Sequence, residues 1–294
     1  MGRVVTVSGG KGGVGKTFVA ANLAKMLSKL YRKSVLLVDI DVSNPCVYTL
    51  VNLKVERREP IKIFKPELLK DKCVLCSECV RYCPTHSLLL IPKKELIFIE
   101  VLCEGCATCL YVCPFEAIAE GEKIVGWVNA THERDLMRVV YGELVPGSRQ
   151  EGEVMERTLE FSKQYWDSYN YIIIDTPPGT GRGIMYALQE AEVILSVTEP
   201  TKLGLHDLKK LHRLVKRIGK REIVILNKYG IPYGNYEEVE NFIKSEELKS
   251  YRIPYDNVVL KSYFDGKSVL EYGMELKVVN ELRGIVEEVL LRKN

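Results

Sequence analysis

The sequence predicts an α/β protein in which a mostly parallel sheet flanked by helices is interrupted by a small, cysteine-rich α+β unit. Three observations lead there. Short apolar runs at Arg3–Ser8 (RVVTVS), 34–38 (SVLLV), 171–174 (YIII) and 222–226 (EIVIL) have the length and β-branched character of buried strands. A glycine-rich segment, GKGGVGKT, joins the first run to a stretch of helical spacing. Eight of the nine cysteines lie between residues 73 and 113, in two copies of C-x2-C-x2-C-x3-C-P.

In chain order, the first strand is followed by Gly10, Lys11, Gly12, Gly13, Val14, Gly15, Lys16 and Thr17. A helix over 16–30 then places Val19, Leu23, Met26, Leu27 and Leu30 at helical spacing. Glycines let the backbone turn its N–H groups onto phosphate oxygens, and the helix adds its positive end. Lys16 is expected to reach the β- and γ-phosphates, and the Thr17 hydroxyl to bind Mg²⁺. G-x4-G-K-T between a strand and a helix therefore predicts a mostly parallel P-loop NTPase sheet.

The runs 34–38 and 171–174 end in Asp39-Ile40-Asp41 and in Asp175. Acids at strand C-termini face the ligand crevice of an open α/β sheet. Asp also forms turns after strands, but a P-loop upstream favours function. At the end of 222–226, Asn227 and Lys228 begin an N-K-x-D-like element in which Gly230 replaces the guanine-reading acid. Guanine's N1–H and N2–H₂ donors then lack a partner, so adenine is expected, with Asn227 on its edge.

The thirty-residue offset makes Cys73, Cys76, Cys79, Cys83 and Pro84 equivalent to Cys103, Cys106, Cys109, Cys113 and Pro114. Zinc sites more usually show separated C-x2-C pairs, and disulfides suit small secreted chains; two x2 gaps and a C-P ending, twice over, favour iron–sulfur. In a two-cluster ferredoxin the fourth cysteine of each run reaches the other cluster. This assigns Cys73, Cys76, Cys79 and Cys113 to one [4Fe–4S] cluster and Cys103, Cys106, Cys109 and Cys83 to the other. Cys46, beside Pro45, reads as a buried small hydrophobe. His86 and Glu116 follow the two C-P dipeptides at matching places, so His86 reads as a surface residue, and His132, His206 and His212 have no clustered partners.

Lys11, inside the loop, is not required by an ordinary Walker A. SGGKGGVGKT resembles the deviant Walker A of the MinD/ParA/Mrp superfamily, to which the nitrogenase iron protein also belongs. The segment 197–210 (VTEPTKLGLHDLKK) is similar to members that carry an inserted ferredoxin domain. The resemblance implies that Lys11 crosses a homodimer interface to the partner's phosphates, with ATP and Mg²⁺ sandwiched between subunits. It implies that Asp175 is the Walker B acid near Mg²⁺, that Asp41 positions the attacking water and that Asp39 supports the metal's outer shell. It places 253–256, including Pro254 and Asp256, beside the base. DTPPGTG at 175–181 resembles switch II, but Arg182 stands where the family continues with Asp. An acid matching Asp207 would hold Lys11 before dimerisation, with a helix-start role for Asp207 as the alternative.

The nucleotide domain is then discontinuous, 1–60 and 123–294, with a ferredoxin-like unit at 61–122. Pro60, Pro66, Pro92 and Lys93-Lys94-Glu95 are expected in exposed turns. A terminal helix over 281–292 is expected to pack Leu282, Ile285, Val286, Val289 and Leu290 against the sheet rather than lie on a membrane, since it lacks a lysine-rich polar face.

At 46% hydrophobic and 28% charged the composition is that of a soluble protein. No apolar run reaches about eighteen residues, and Met1-Gly2-Arg3 leads straight into a strand, so a cytoplasmic, reducing location is expected. Net charge is +3, and two clusters would add roughly −2 each. Nothing in that total draws the chain to nucleic acid.

These features imply an ATPase, slow without a partner, whose ATP-dependent dimerisation gates electron transfer through two clusters to an unidentified redox partner. A second expectation is an iron–sulfur carrier acting on apo-proteins and resembling Mrp, although the nucleotide core lacks Mrp's C-x-x-C. A third is a positioning ATPase that senses redox state.

Overall fold

β1 (Arg3–Ser8) occupies the predicted run, and α1 (Lys16–Lys29) begins at the P-loop lysine. These elements belong to a computed structural model that describes residues 2–48 and 53–292. The remaining sheet strands are β2 (Val35–Asp39), β3 (Val55–Leu68), β6 (Ile118–Thr131), β7 (Met137–Leu144), β8 (Tyr171–Asp175), β9 (Val193–Thr198), β10 (Arg221–Tyr229) and β11 (Lys249–Pro254). They form one nine-stranded sheet in the order β11-β10-β9-β1-β8-β2-β7-β6-β3. All pairings from β11 to β7 are parallel, and the two involving β6 are antiparallel.

Both faces of the parallel part are covered, which is why its strands read as continuous apolar runs. Along β2 and β8, Leu37 and Ile173 join a core with α1, whereas Leu36, Val38, Ile172 and Ile174 join the core on the opposite face. The second face is closed by α4 (Glu151–Ser162) and α5 (Arg182–Glu190). α6 (Lys202–Arg217) and α7 (Tyr236–Ser245) cover β10, with Lys209, Lys210, Lys216 and Arg217 exposed, as expected of a solvated helix face. α8 (Asn257–Phe264) borders the cavity at the glycine-rich loop. The terminal helix starts earlier than expected, as α9 (Lys277–Ile285), and ends in a π-helical segment, Val286–Leu291. Its five predicted core residues are at most 1% exposed, in the core that includes α1.

β3 and β6 are fourteen residues each and pair along nearly their whole length, from Val55 opposite Thr131 to Leu68 opposite Ile118. The expected turns at Pro60 and Pro66 are therefore corrected: both lie inside β3, opposite Trp127 and Glu120. β3 is an edge strand, where proline's missing N–H leaves no ladder bond broken inside the sheet. Pro92 does lie in a turn, between β4 (Leu88–Ile91) and β5 (Glu95–Phe98).

The ribbon runs out of the large sheet and carries the cysteine-rich unit at its tip. Ile61 packs on the large core, while Phe64, Leu68 and Ile118 pack with Cys79, Cys109 and Leu88 in a separate small core. The β4–β5 hairpin and two one-turn helices, α2 (Glu78–Arg81) and α3 (Thr108–Tyr111), complete it. The sequence repeat is also a backbone repeat. Leu75 and Gly105 (φ 59° and 73°), Ser77 and Ala107 (68° and 58°), and His86 and Glu116 (51° and 50°) are left-handed at matching places. Each non-glycine residue so held costs about 1–2 kcal/mol, and strain of this kind clusters at functional sites.

Candidate functional site

The glycine-rich loop turns where its residues demand it. Gly13 and Gly15 have φ of 78° and 99°, a conformation that favours glycine. Gly15 leads into α1, and a Cβ there would lie 2.2 Å from Asn227 Nδ2, while one on Gly10 would lie 2.5 Å from Asp207 Cβ. Val14 is buried and pins the loop to the core. Gly12, Gly13, Gly15, Lys16 and Thr17 face a cavity of about 710 Å³ that also meets Asp41, Asn227, Lys228, Pro254, Tyr255 and Asp256. These residues, from four separate segments, thus converge on one space. The Asn227 amide donates to the Val14 carbonyl (2.7 Å), and Asp256 caps α8 by accepting from Val258 N–H (2.9 Å).

Charge is concentrated beneath the loop. Lys16 is buried and curls back so that its Nζ donates to the Lys11 carbonyl at 3.2 Å. Burial lowers its pKa, while the charges of Asp175 and Asp41 act in the other direction. Asp175 is fully buried, with neither carboxylate oxygen in a hydrogen bond of normal geometry. Burial, then the Asp39 charge, pushes its pKa well up, against the opposing Thr17 hydroxyl and Lys16 ammonium. An orphaned buried carboxylate beside a threonine hydroxyl is the donor chemistry that a hard divalent cation completes. Asp41 borders the cavity, and burial raises its pKa against the Lys16 charge. Asp39 accepts from the backbone N–H groups of Asp41 (2.9 Å), Cys46 (3.1 Å) and Val47 (3.1 Å). It anchors the 41–47 loop, and burial pushes its carboxyl up to about 7 despite those bonds.

The Lys11–Asp207 pair does not form. Lys11 Nζ instead donates to Glu199 Oε1 at 2.8 Å, and Lys228 Nζ to Glu199 Oε2 at 2.7 Å. Asp207 lies inside α6 with Lys210 as its ion-pair partner at 4.0 Å, too far along to start the helix; Thr201 is the N-cap, accepting from Gly204 N–H at 2.9 Å. The loop passes close to Asp207 at Gly10, whereas Lys11 reaches Glu199, just past the end of β9. Burial acts to raise the Glu199 carboxyl, but the two lysines outweigh it and hold its pKa down. Glu199 is the residue that sequence reasoning missed, although it too follows a strand C-terminus. Arg182 is exposed at the start of α5, donating to Tyr186 Oη at 3.1 Å, while Pro177 and Pro178 line the cavity.

The eight cysteines assemble in the crossed arrangement. Cys73, Cys76, Cys79 and Cys113 line a cavity of about 150 Å³. Burial and then the neighbouring Cys113, Cys73 and Cys76 push the Cys79 thiol up to about 11. Cys109 is pushed up to about 11 by burial, Cys103, Cys106 and Cys83, so the fourth cysteine of each repeat sits with the other repeat's triplet. Cys83 is lowered to about 7: burial acts upward, but hydrogen bonds with Ser87 and Thr85 outweigh it. No group of three or more His, Cys, Asp or Glu among the described residues is positioned around a single metal ion. No helix among them is long and apolar enough to cross a membrane.

The sequence pattern of the CobQ/CobB/MinD/ParA nucleotide binding domain matches residues 5–269. An uncharacterised protein of Methanocaldococcus jannaschii is 30% identical over 97% of this chain and 96% of its own. A chloroplast Fe–S cluster assembly factor of Arabidopsis thaliana is 28% identical over 73% of this chain and 30% of its own. Among solved structures, the septum site-determining protein MinD of Pyrococcus horikoshii, complexed with Mg-ADP, superposes with a TM-score of 0.61 at 20% identity, covering 98% of this chain and 96% of that one.

Proposed function

Because the chain belongs to the CobQ/CobB/MinD/ParA nucleotide-binding family, we propose that it is an ATP-hydrolysing protein that holds two [4Fe–4S] clusters on its inserted unit and gates electron transfer through them with its nucleotide cycle. The observation that carries this reading is the continuity of the β3–β6 ribbon. β2 delivers Asp39 and leads to Asp41; it pairs with β7, β7 with β6, and the far end of β6 puts Ile118 against Cys79 and Cys109. Hydrogen-bonded strands transmit displacement better than a flexible linker, so a shift at the nucleotide reaches the thiols through one sheet.

At the nucleotide, the loop amides and Lys16 would hold the phosphates, Thr17 and Asp175 would hold Mg²⁺, and Asp41 would orient the attacking water. Lys11 is the group available to a partner subunit once it leaves Glu199. The cysteine side rests on donor chemistry: two quartets of soft ligands, the first bordering a cavity rather than a single-ion point, suit iron–sulfur clusters. Bound there, the clusters supply one-electron redox chemistry.

The test is anaerobic purification with iron and sulfide analysis, followed by reoxidation of the reduced protein with ATP, ADP or no nucleotide. Reoxidation rates that depend on nucleotide, with an acceptor protein present, are expected. Identical rates in all three states would sink the gating. A second reading, delivery of clusters to apo-proteins, is favoured by the similarity to a cluster assembly factor. It predicts transfer of iron and sulfide to an apo-ferredoxin, whereas gating predicts that the metal stays bound.

A further inference from the structure

The two cysteine quartets are built from one repeat but differ in their hydroxyl groups. At Cys83, Ser87 N–H donates to Sγ at 3.3 Å, and Ala117 N–H makes the matching bond to Cys113 Sγ at 3.3 Å. Cys83 Sγ has in addition the buried Ser87 hydroxyl at 3.2 Å and the Thr85 hydroxyl at 3.7 Å. The residues thirty positions on are Ala117 and Phe115, which carry none. Cys106, in the same quartet as Cys83, has the Thr108 hydroxyl at 3.3 Å; its counterpart beside Cys76 is Glu78. Ser77 lines the other quartet's cavity, but no hydroxyl bond to Cys73, Cys76, Cys79 or Cys113 occurs among the described residues.

A metal-bound thiolate has no proton to give, so each hydroxyl must then donate to sulfur. Such bonds withdraw electron density and stabilise the more negative, reduced form, raising the potential. We propose that the quartet of Cys83, Cys103, Cys106 and Cys109 is the higher-potential site, where the first electron rests, with Thr85, Ser87 and Thr108 as the tuning residues. This deepens the iron–sulfur reading above and rests on it. Two features act the other way and are weaker. Cys83 is more buried than Cys113, but only one ligand in four differs in this respect. Lys70 and Lys94 border the first cavity, but both are exposed, and Glu95 sits beside them; charges in such positions are screened by solvent and salt.

The experiment is a dithionite titration of the anaerobically reconstituted full chain followed by electron paramagnetic resonance, one electron passing from dithionite to the protein at each step. Two separate steps are expected, the first electron favouring one site by tenfold or more, which for a one-electron couple is about 59 mV. Ser87→Ala, Thr85→Val and Thr108→Val should each move the upper step down and leave the lower one in place. Ala117→Ser, which adds a hydroxyl at the matching position, should move the lower step up. Coincident steps in the unaltered protein, an upper step indifferent to all three deletions, or a lower step that follows them would overturn the proposal. Material with no iron and sulfide would remove the iron–sulfur reading itself, whereas two assembled clusters of equal potential would remove only their inequivalence.

Discussion

Lys11 and Glu199 are joined at 2.8 Å within one chain, with Lys228 bound to the same carboxylate at 2.7 Å. A lysine of the kind expected to serve a second subunit is thus held at home by an acid from the end of β9. A charge-assisted hydrogen bond of this sort contributes about 1.5–3 kcal/mol. Any self-association that draws on Lys11 would have to offset its release.

Glu199→Gln should lower that barrier and strengthen ATP-dependent self-association by roughly tenfold, about 1.4 kcal/mol. Lys11→Ala should abolish self-association while leaving nucleotide binding intact. Sedimentation velocity with and without ATP reads both outcomes, and unchanged dimer fractions in both variants would remove the latch.

Lys16→Ala should abolish ATP binding measured by calorimetry, because its ammonium, close enough to feel the charges of Asp175 and Asp41 at the cavity, is the group proposed to hold the phosphates. Asp41→Asn should retain binding and lose about a hundredfold or more in the rate of hydrolysis, as expected for a group that orients or activates the nucleophile. Equal loss of binding in both variants would assign Asp41 to nucleotide affinity instead.

Gly15→Ala should destabilise the protein by more than the roughly 1–2 kcal/mol of left-handed strain, because the new Cβ also meets Asn227 Nδ2 at 2.2 Å. Adding Asn227→Ala should recover the steric part and leave the strain. Urea midpoints of the single and double variants separate the two contributions; additive losses would refute the contact.

Asp39 gives the nucleotide-free protein a pH dependence with a defined sign. Burial raises its carboxyl from the ordinary 3.8 to about 7, so the native state holds the proton more tightly than the unfolded chain. Its favourable contribution is complete below the unfolded value and is lost as pH rises through about 7. Unfolding midpoints should fall across that window, less steeply in Asp39→Asn. A midpoint that rises equally in both proteins would contradict the sign.

Much of this was legible locally. The P-loop, β1, and β2 and β8 with the acids at their ends depend on neighbours in sequence, and the thirty-residue cysteine offset announced a structural repeat. The prolines misled because Pro60 and Pro66 sit on an edge strand, a position that depends on which strands pair rather than on the dipeptides around them. Glu199 was hidden for a related reason: its two lysines are 188 and 29 positions away.

The amino-acid sequence alone thus determined the chemistry available, a phosphate cradle and two sets of soft ligands, because each requires particular residue types at short, fixed spacings. Only the tertiary structure decided how they are arranged: that Lys11 rests on Glu199 rather than Asp207, that one ribbon ties the thiols to the strands that carry the acids, and that hydroxyls crowd one quartet and not the other. Those outcomes follow from strand order and from contacts between distant segments, where packing selects one pairing among several that local chemistry permits.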